Sequence, residues 1–250
     1  MQRSPTPVII SLALTAVVVA WALVGIGGHP ADCIPACDCE MIGSGPVRQP
    51  WNAWSALTVV AAGMWTLFTA RGRLSDHLLG GAIVLSGLAA LAAHSSVTSW
   101  AYRSDGAAIA ALAWLAAALE WLGPKAAVPI AAGAAAAAWL LGAPAPLWIT
   151  ASAVAVFLAA QLSKHRARRV LPGVAAAALL GTGLALRALT DDGGPWCRAE
   201  APVPGHAIWH LAAAVGLVCL IRYLRSEDVA PGSPEGDLRS GTAAAATGQD

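Results

Sequence analysis

Charge is scarce in this sequence. Lysine, arginine, aspartate and glutamate make up 12% of its 250 residues, against about 25% in an ordinary soluble domain. Neither sign dominates: fifteen basic side chains face fourteen acidic ones, a formal net charge of +1, so nothing points to a nucleic-acid partner. A clean small-x-small cleavage site is missing after the first apolar run, which argues against a removable leader. What is present instead is apolar bulk, 57% of the residues and a mean hydropathy of +0.63. A single anchor does not raise a whole chain that far.

The apolar residues fall into runs at about 7–27, 52–70, 78–99, 105–122, 125–142, 146–163, 170–189 and 205–224. Each approaches the roughly twenty residues a helix needs to cross a hydrocarbon core about 30 Å thick. Unpaired backbone groups are too costly in lipid for open strands, so the runs are expected to be helices. The reading is an all-α integral membrane protein. A seven-transmembrane-helix bundle occupies 31–225, preceded over 1–30 by an extra hydrophobic helix or signal anchor. The first run follows Met1-Gln2-Arg3 and exceeds a usual signal core, so it is expected to be retained. The segment 226–250, rich in Gly, Ser, Pro, Ala and acidic residues, reads as a disordered tail. The small side chains of Ala131 to Ala138 read as close helix packing.

Cytoplasmic loops collect lysine and arginine. With Arg3 inside and the spans alternating, eleven of the fifteen basic residues fall inside, and Arg48, Arg103, Arg187 and Arg198 remain outside. Both termini are then cytoplasmic, and the compact loops and alanine-rich spans fit a multi-pass protein of a bacterial inner membrane.

That topology sorts the six histidines. His29, His77 and His165 fall in loops or flanks and read as solvated. His206 and His210, in Gly205-His-Ala-Ile-Trp-His210, are spaced i,i+4, which puts both imidazoles on one helix face. The same spacing supplies two ligands in HExxH zinc sites, and it also serves plain packing. His94 lies near the outer end of the span 78–99, and Asp105 opens the next span at that end. The four groups are expected at one membrane depth, where polar side chains are costly. Three imidazoles match an open catalytic zinc site with water in the fourth position, and the carboxylate would hold or deprotonate that water. On chemistry alone, a metal site and an interfacial hydrogen-bond network stand equally open.

Of the five cysteines, Cys33, Cys37 and Cys39 lie in the outer loop after the first run and Cys197 in the outer loop before His206. A disulfide is permitted there, and joining that cluster to Cys197 would tie the N-terminal loop to the edge of the histidine helix. The rival is a metal clip from Cys33-x3-Cys37-x-Cys39, a spacing that matches no common zinc pattern. Cys219, inside the last span, reads as packing.

Cys39-Glu40, Gln49-Pro-Trp-Asn52-Ala-Trp-Ser55 opening a span, His94 followed eleven residues later by Asp105, and Gly205-His-Ala-Ile-Trp-His210 opening the last span resemble the alkaline ceramidases. These belong to a superfamily of membrane hydrolases that includes the adiponectin and progestin receptor-like proteins. The resemblance covers about 37–224. It implies zinc held by His94, His206 and His210, an aspartate near the metal-bound water at Asp105, and a disulfide between Cys39 and Cys197. It implies departures too. The family serine one turn before the first histidine is Ala90 here, with Ser86, Ser95 or Ser96 as stand-ins, of which only Ser86 shares roughly that face. Asp38 and Glu40 are what remains of a calcium-binding set, with Cys37 and Gln49 where carboxylates are expected, so calcium dependence is not expected.

The function so implied is zinc-dependent hydrolysis of a ceramide-like N-acyl lipid to a fatty acid and a long-chain amine, on the outer side of the membrane. The partner is the lipid substrate, with no obligatory protein partner. Trp51, Trp54, Trp100, Trp196 and Trp209 read as interfacial anchors. The alternative is a receptor- or transporter-like scaffold whose metal site is structural or sensing. An intramembrane serine protease, from Ser86-Gly87 or Gly43-Ser-Gly45, and a haem protein both fit the residues less well.

Overall fold

The computed structural model describes residues 6–25, 36–70, 72–142, 145–164, 170–190, 194–198 and 201–226. These form eight helices: α1 (Thr6–Val24), α2 (Pro50–Phe68), α3 (Leu74–Ser96), α4 (Ser99–Leu122), α5 (Pro124–Leu141), α6 (Ala145–Lys164), α7 (Val170–Thr190) and α8 (Gly205–Leu224). Between α1 and α2 lies a small hairpin of β1 (Ala36–Cys37) and β2 (Glu40–Met41), antiparallel with Cys37 opposite Glu40. All eight apolar runs are helical, and the protein is an all-α membrane bundle. Seven of the helices, all but α2, are long and apolar enough to cross a membrane. The expected tail at 227–250, and Cys33, His29 and His165, lie outside the described residues. Ser226 belongs to the end of the bundle, its hydroxyl donating to the Tyr223 carbonyl at 2.7 Å.

Two boundaries differ from expectation in a way that matters. Helix α3 begins at Leu74 rather than 78, and α4 at Ser99 rather than 105. Asp105 therefore sits inside α4 instead of opening it. Hydropathy locates the segment in lipid, whereas the backbone continues its helix through polar residues such as Ser99, Tyr102, Arg103 and Ser104. Elsewhere the helix ends follow local chemistry. Pro50 and Pro124 occupy first-turn positions of α2 and α5, where the missing N–H has no intrahelical partner to lose. Gly123, at φ 79°, turns the chain from α4 into α5.

The centre of the bundle is α2 packed along α3, with α8 and α4 against that pair. Helix α5 and α6 lean on α4, α7 on α8, and α1 on α3 and α2. The α2–α3 contact is backbone to backbone. A Cβ on Gly63 would lie 2.6 Å from the Val84 nitrogen, and one on Gly87 2.7 Å from the Val60 nitrogen. Close approach through small residues is how helices gain contact where lipid gives no hydrophobic drive between them. The outward faces stay apolar: Ile9, Val17, Leu140, Leu162 and Leu171 are exposed on the peripheral helices. Trp21 of α1 stacks on Trp100 of α4 with ring centroids 5.9 Å apart.

The alternating run of helices brings the starts of α2, α4 and α8 and the ends of α3, α5 and α7 to one end, together with the hairpin. At the opposite end Arg225 bridges Asp76 at 3.2 Å and donates to the Thr69 hydroxyl at 2.9 Å and the Thr66 carbonyl at 3.1 Å, tying α8 to α3 and α2. Gln161 there donates to Glu120 and accepts from Tyr223, each at 3.0 Å, joining α6 to α4 and α8.

Candidate metal centre

Helix α8 starts against α7 so closely that a Cβ on Gly205 would overlap the Thr190 side chain. This seats the first two turns of α8, carrying His206 and His210, beside the last turn of α3, carrying His94. The three imidazoles are 1%, 1% and 4% exposed for His94, His206 and His210. Their ring centroids lie 4.8 Å (His94–His206), 5.3 Å (His94–His210) and 4.8 Å (His206–His210) apart, and all are steeply inclined rather than stacked. One nitrogen from each falls within 4.8 Å of the others.

The nitrogens that face outward decide what faces inward. His94 Nδ1 is 2.8 Å from Gln49 Oε1. The Gln49 amide is oriented by its Nε2, which donates to the Glu40 carbonyl at 3.2 Å, so the oxygen accepts from His94. His210 Nδ1 is 2.8 Å from Ser55 Oγ. That hydroxyl donates to the Asn52 carbonyl at 2.9 Å and therefore accepts from the imidazole. His206 Nδ1 lies 3.4 Å from Asp38 Oδ1. With an acceptor beside each Nδ1, Nε2 is the nitrogen each imidazole would offer to a metal. Orienting a ligand through its other ring nitrogen is the usual arrangement around metal-bound histidine.

Two buried atoms test the fit. His94 Nε2 and Asp105 Oδ1 have no hydrogen-bond partner, and leaving such groups unpaired costs about 1–3 kcal/mol each. The three histidines form a buried site that can hold a metal ion. Asp105, buried on α4, is within electrostatic reach of His206.

The hairpin supplies the rest. Asp38 and Cys39 occupy the two central positions of its turn at φ 47° and 56°, the positive values that a two-residue type I′ turn demands. Cys39 and Cys197 are at disulfide distance, with Cα atoms 5.4 Å apart. Asp38 Oδ2 accepts from the Tyr102 hydroxyl at 2.8 Å, and that hydroxyl is also 3.0 Å from Gln49 Oε1. Burial works against the charge on Asp38, but His206, His94, Arg187 and the Tyr102 hydroxyl outweigh it and hold its pKa at about 2. Glu40 accepts from the backbone N–H groups of Trp51 at 2.8 Å and Asn52 at 2.9 Å, capping α2 from outside the helix. Burial raises its pKa against those two hydrogen bonds. The two carboxylates read from the resemblance as remains of a calcium set are thus engaged, one with the histidines and one with a helix start.

The structure gathers His94, His206, His210 and Asp105 at one end, as the topology led one to expect. His77 is on the first turn of α3, at the other end. Ala90 is buried one turn before His94, and Ser96 spends its hydroxyl on the Ala92 carbonyl and Thr98. The Ser55 hydroxyl, from α2, is in hydrogen-bond contact with the His210 imidazole. Gln49 and Ser55 were legible only as part of the motif that opens α2, Gln49 also at a position where the calcium set has a carboxylate, and Tyr102 not at all; none was read as a support for a histidine. The signal available was Asn52, Ser55 and Thr58, spaced three apart on an otherwise apolar helix, which face α8: Thr58 Oγ1 lies 3.4 Å from the His210 carbonyl.

Comparison of the chain with protein-family models, with curated proteins and with solved structures finds no match.

Proposed function

We propose that the protein is a zinc-dependent hydrolase that cleaves the amide of a ceramide-like N-acyl lipid, releasing a fatty acid and a long-chain amine. The observation that carries this reading is the pairing of three outward-anchored imidazoles with a buried carboxylate whose Oδ1 lacks a partner. Three neutral nitrogens and an open fourth position are the donor set of catalytic zinc. Bound there, zinc would supply a Lewis acid for the amide carbonyl and a water acidic near neutral pH.

The chain's own residues do the rest. Asp105 takes the proton of the attacking water and passes it to the amide nitrogen as the C–N bond breaks. Gln49, Ser55 and Asp38 hold the imidazoles so that their Nε2 atoms keep their direction while charge develops. Enclosure among α3, α4 and α8 limits bulk water.

The site end carries Arg48, Arg103, Arg187 and Arg198, and the other end Arg73, Lys125, Arg222 and Arg225. With eleven of the fifteen basic residues read as inside from the sequence, the positive-inside rule favours an outer site and cytoplasmic termini, and a disulfide beside the site agrees with an oxidising compartment.

A second reading rests on Ala90: without the family hydroxyl at that position, the bundle is a receptor- or transporter-like scaffold retaining a structural or sensing metal. Asp105→Asn separates the two. For the hydrolase, release of fatty acid from N-acyl lipids disappears while the metal stays bound. No turnover by metal-loaded wild type on any N-acyl lipid would favour the scaffold.

A further inference from the structure

The hairpin ahead of α2 is held more firmly than its own structure explains. Two-residue strands make a marginal ladder, and both turn residues, Asp38 and Cys39, sit at positive φ without being glycine. A turn of this kind persists only when its surroundings over-determine it. Those surroundings are the Cys39–Cys197 bond and the carboxylate and carbonyl of Glu40, taken by α2 and Gln49.

What the turn presents is Asp38, and its carboxylate spans two helices. Oδ1 is 3.4 Å from His206 Nδ1 on α8, and Oδ2 is 3.7 Å from His94 Nδ1 on α3. His210 is anchored differently, by Ser55 from within α2. The carboxylate of this strained turn therefore borders the outer nitrogens of two of the three ligands, beside the Gln49 oxygen that accepts from His94, and the adjacent residue of that turn is covalently tied to the segment entering α8.

We propose that Asp38 is a positioning residue for the metal ligands and that the Cys39–Cys197 disulfide conditions it, so that reduction by a dithiol loosens the site's hold on its metal. The inference rests on reading His94, His206 and His210 as a metal site. In the step itself the dithiol gives two electrons and two protons. The Sγ–Sγ bond breaks, Cys39 and Cys197 become thiols, and the dithiol closes to its own disulfide. Released from Cys197, the turn relaxes toward negative φ and Asp38 withdraws. His206 loses its acceptor and His94 loses part of its support, so the Nε2 atoms are no longer aimed before the ion arrives. Loss of such an outer partner costs about 10–100-fold in metal affinity.

The rival role for the bond is a simple staple on the fold, and the two differ in coupling. Zinc affinity is measured by competition with a chelating indicator, on full-length detergent-purified protein, oxidised and dithiol-reduced. The variants are wild type, Asp38→Asn, Asp38→Glu and Cys39→Ser/Cys197→Ser. Expected is about one zinc per oxidised wild-type chain, weakened about 10–100-fold by reduction and by Asp38→Asn in the oxidised state. Reduction of Asp38→Asn then adds nothing, since both changes remove the same support, and Asp38→Glu regains part of the affinity. The cysteine double variant, without reductant, matches reduced wild type, which removes chelation by the dithiol as a cause. If that variant does not fold, the reduction series on wild type and Asp38→Asn decides.

Unchanged affinity on reduction, or effects of reduction and Asp38→Asn that multiply independently, would overturn the proposal while leaving the metal site standing. Oxidised wild type that binds no metal would overturn the metal site, and this inference with it.

Discussion

Each of the three imidazoles is held at Nδ1 by a different chemical group: an amide oxygen for His94, a hydroxyl for His210 and a carboxylate for His206. The hydroxyl is the cleanest to remove, because Ser55 is only half-buried and its loss leaves a small gap. Ser55→Ala is expected to weaken zinc binding about tenfold with little change in thermal unfolding, read by indicator competition. Asp105→Asn is expected to keep the metal and to lower lipid hydrolysis by about 10²–10⁴-fold, the usual contribution of a positioned acid–base group. A variant that loses both metal and activity would instead make Asp105 part of the ligand set. His206 and His210 were legible as a pair, because i,i+4 is a local relation. Their supports were not: Ser55 is 155 residues from His210, and Gln49 is 45 from His94.

The pairing of α2 with α3 sets the distance between the supports on one helix and a ligand on the other. Gly87 lies two turns before His94, and any side chain there meets the Val60 nitrogen at 2.7 Å. Gly87→Val is expected to force the helices apart, lowering stability by about 1–3 kcal/mol and reducing zinc retained through purification. Gly133→Ala, on α5 with nothing within 4 Å of its Cβ, serves as the control and is expected to lower neither, since Ala in a helix interior is about 0.5–1 kcal/mol more favourable than Gly. Glu40→Ala strips the N–H groups of Trp51 and Asn52 of their acceptor. A helix cap of this kind is worth about 0.5–2 kcal/mol, and the variant's thermal unfolding in detergent checks it. These elements were visible as apolar runs, but α4 was read six residues short, since hydropathy ends where the polar Ser99–Ser104 stretch begins and the helix does not.

Across the whole bundle, a metal bound by His94 of α3 and by His206 and His210 of α8 would join two helices at the site end. A ligand bound to the folded state at a hundred times its dissociation constant stabilises by about 2.7 kcal/mol. Chelation is therefore expected to lower the unfolding temperature of the wild type and leave His206→Ala/His210→Ala unaffected. Added zinc restores the wild type and calcium does not. An equal response in both proteins would place the chelator's action elsewhere than at the histidines.

The sequence by itself determined the class, the eight helices, the small-residue packing and the i,i+4 histidine pair. Lipid offers backbone groups no partner, so each span must satisfy its own hydrogen bonds, and run length alone reveals it. It did not determine how each helix is rotated about its axis. In water a polar face marks the outside of a helix, but in lipid both faces are apolar and the rotation is hidden. Close contacts such as Gly63 on Val84 and Gly205 on Thr190 decide it in three dimensions. Asp38 depends on more still, a two-residue turn and a cysteine pair at disulfide distance across 158 residues, which together bring one carboxylate to two helices that no local pattern connects.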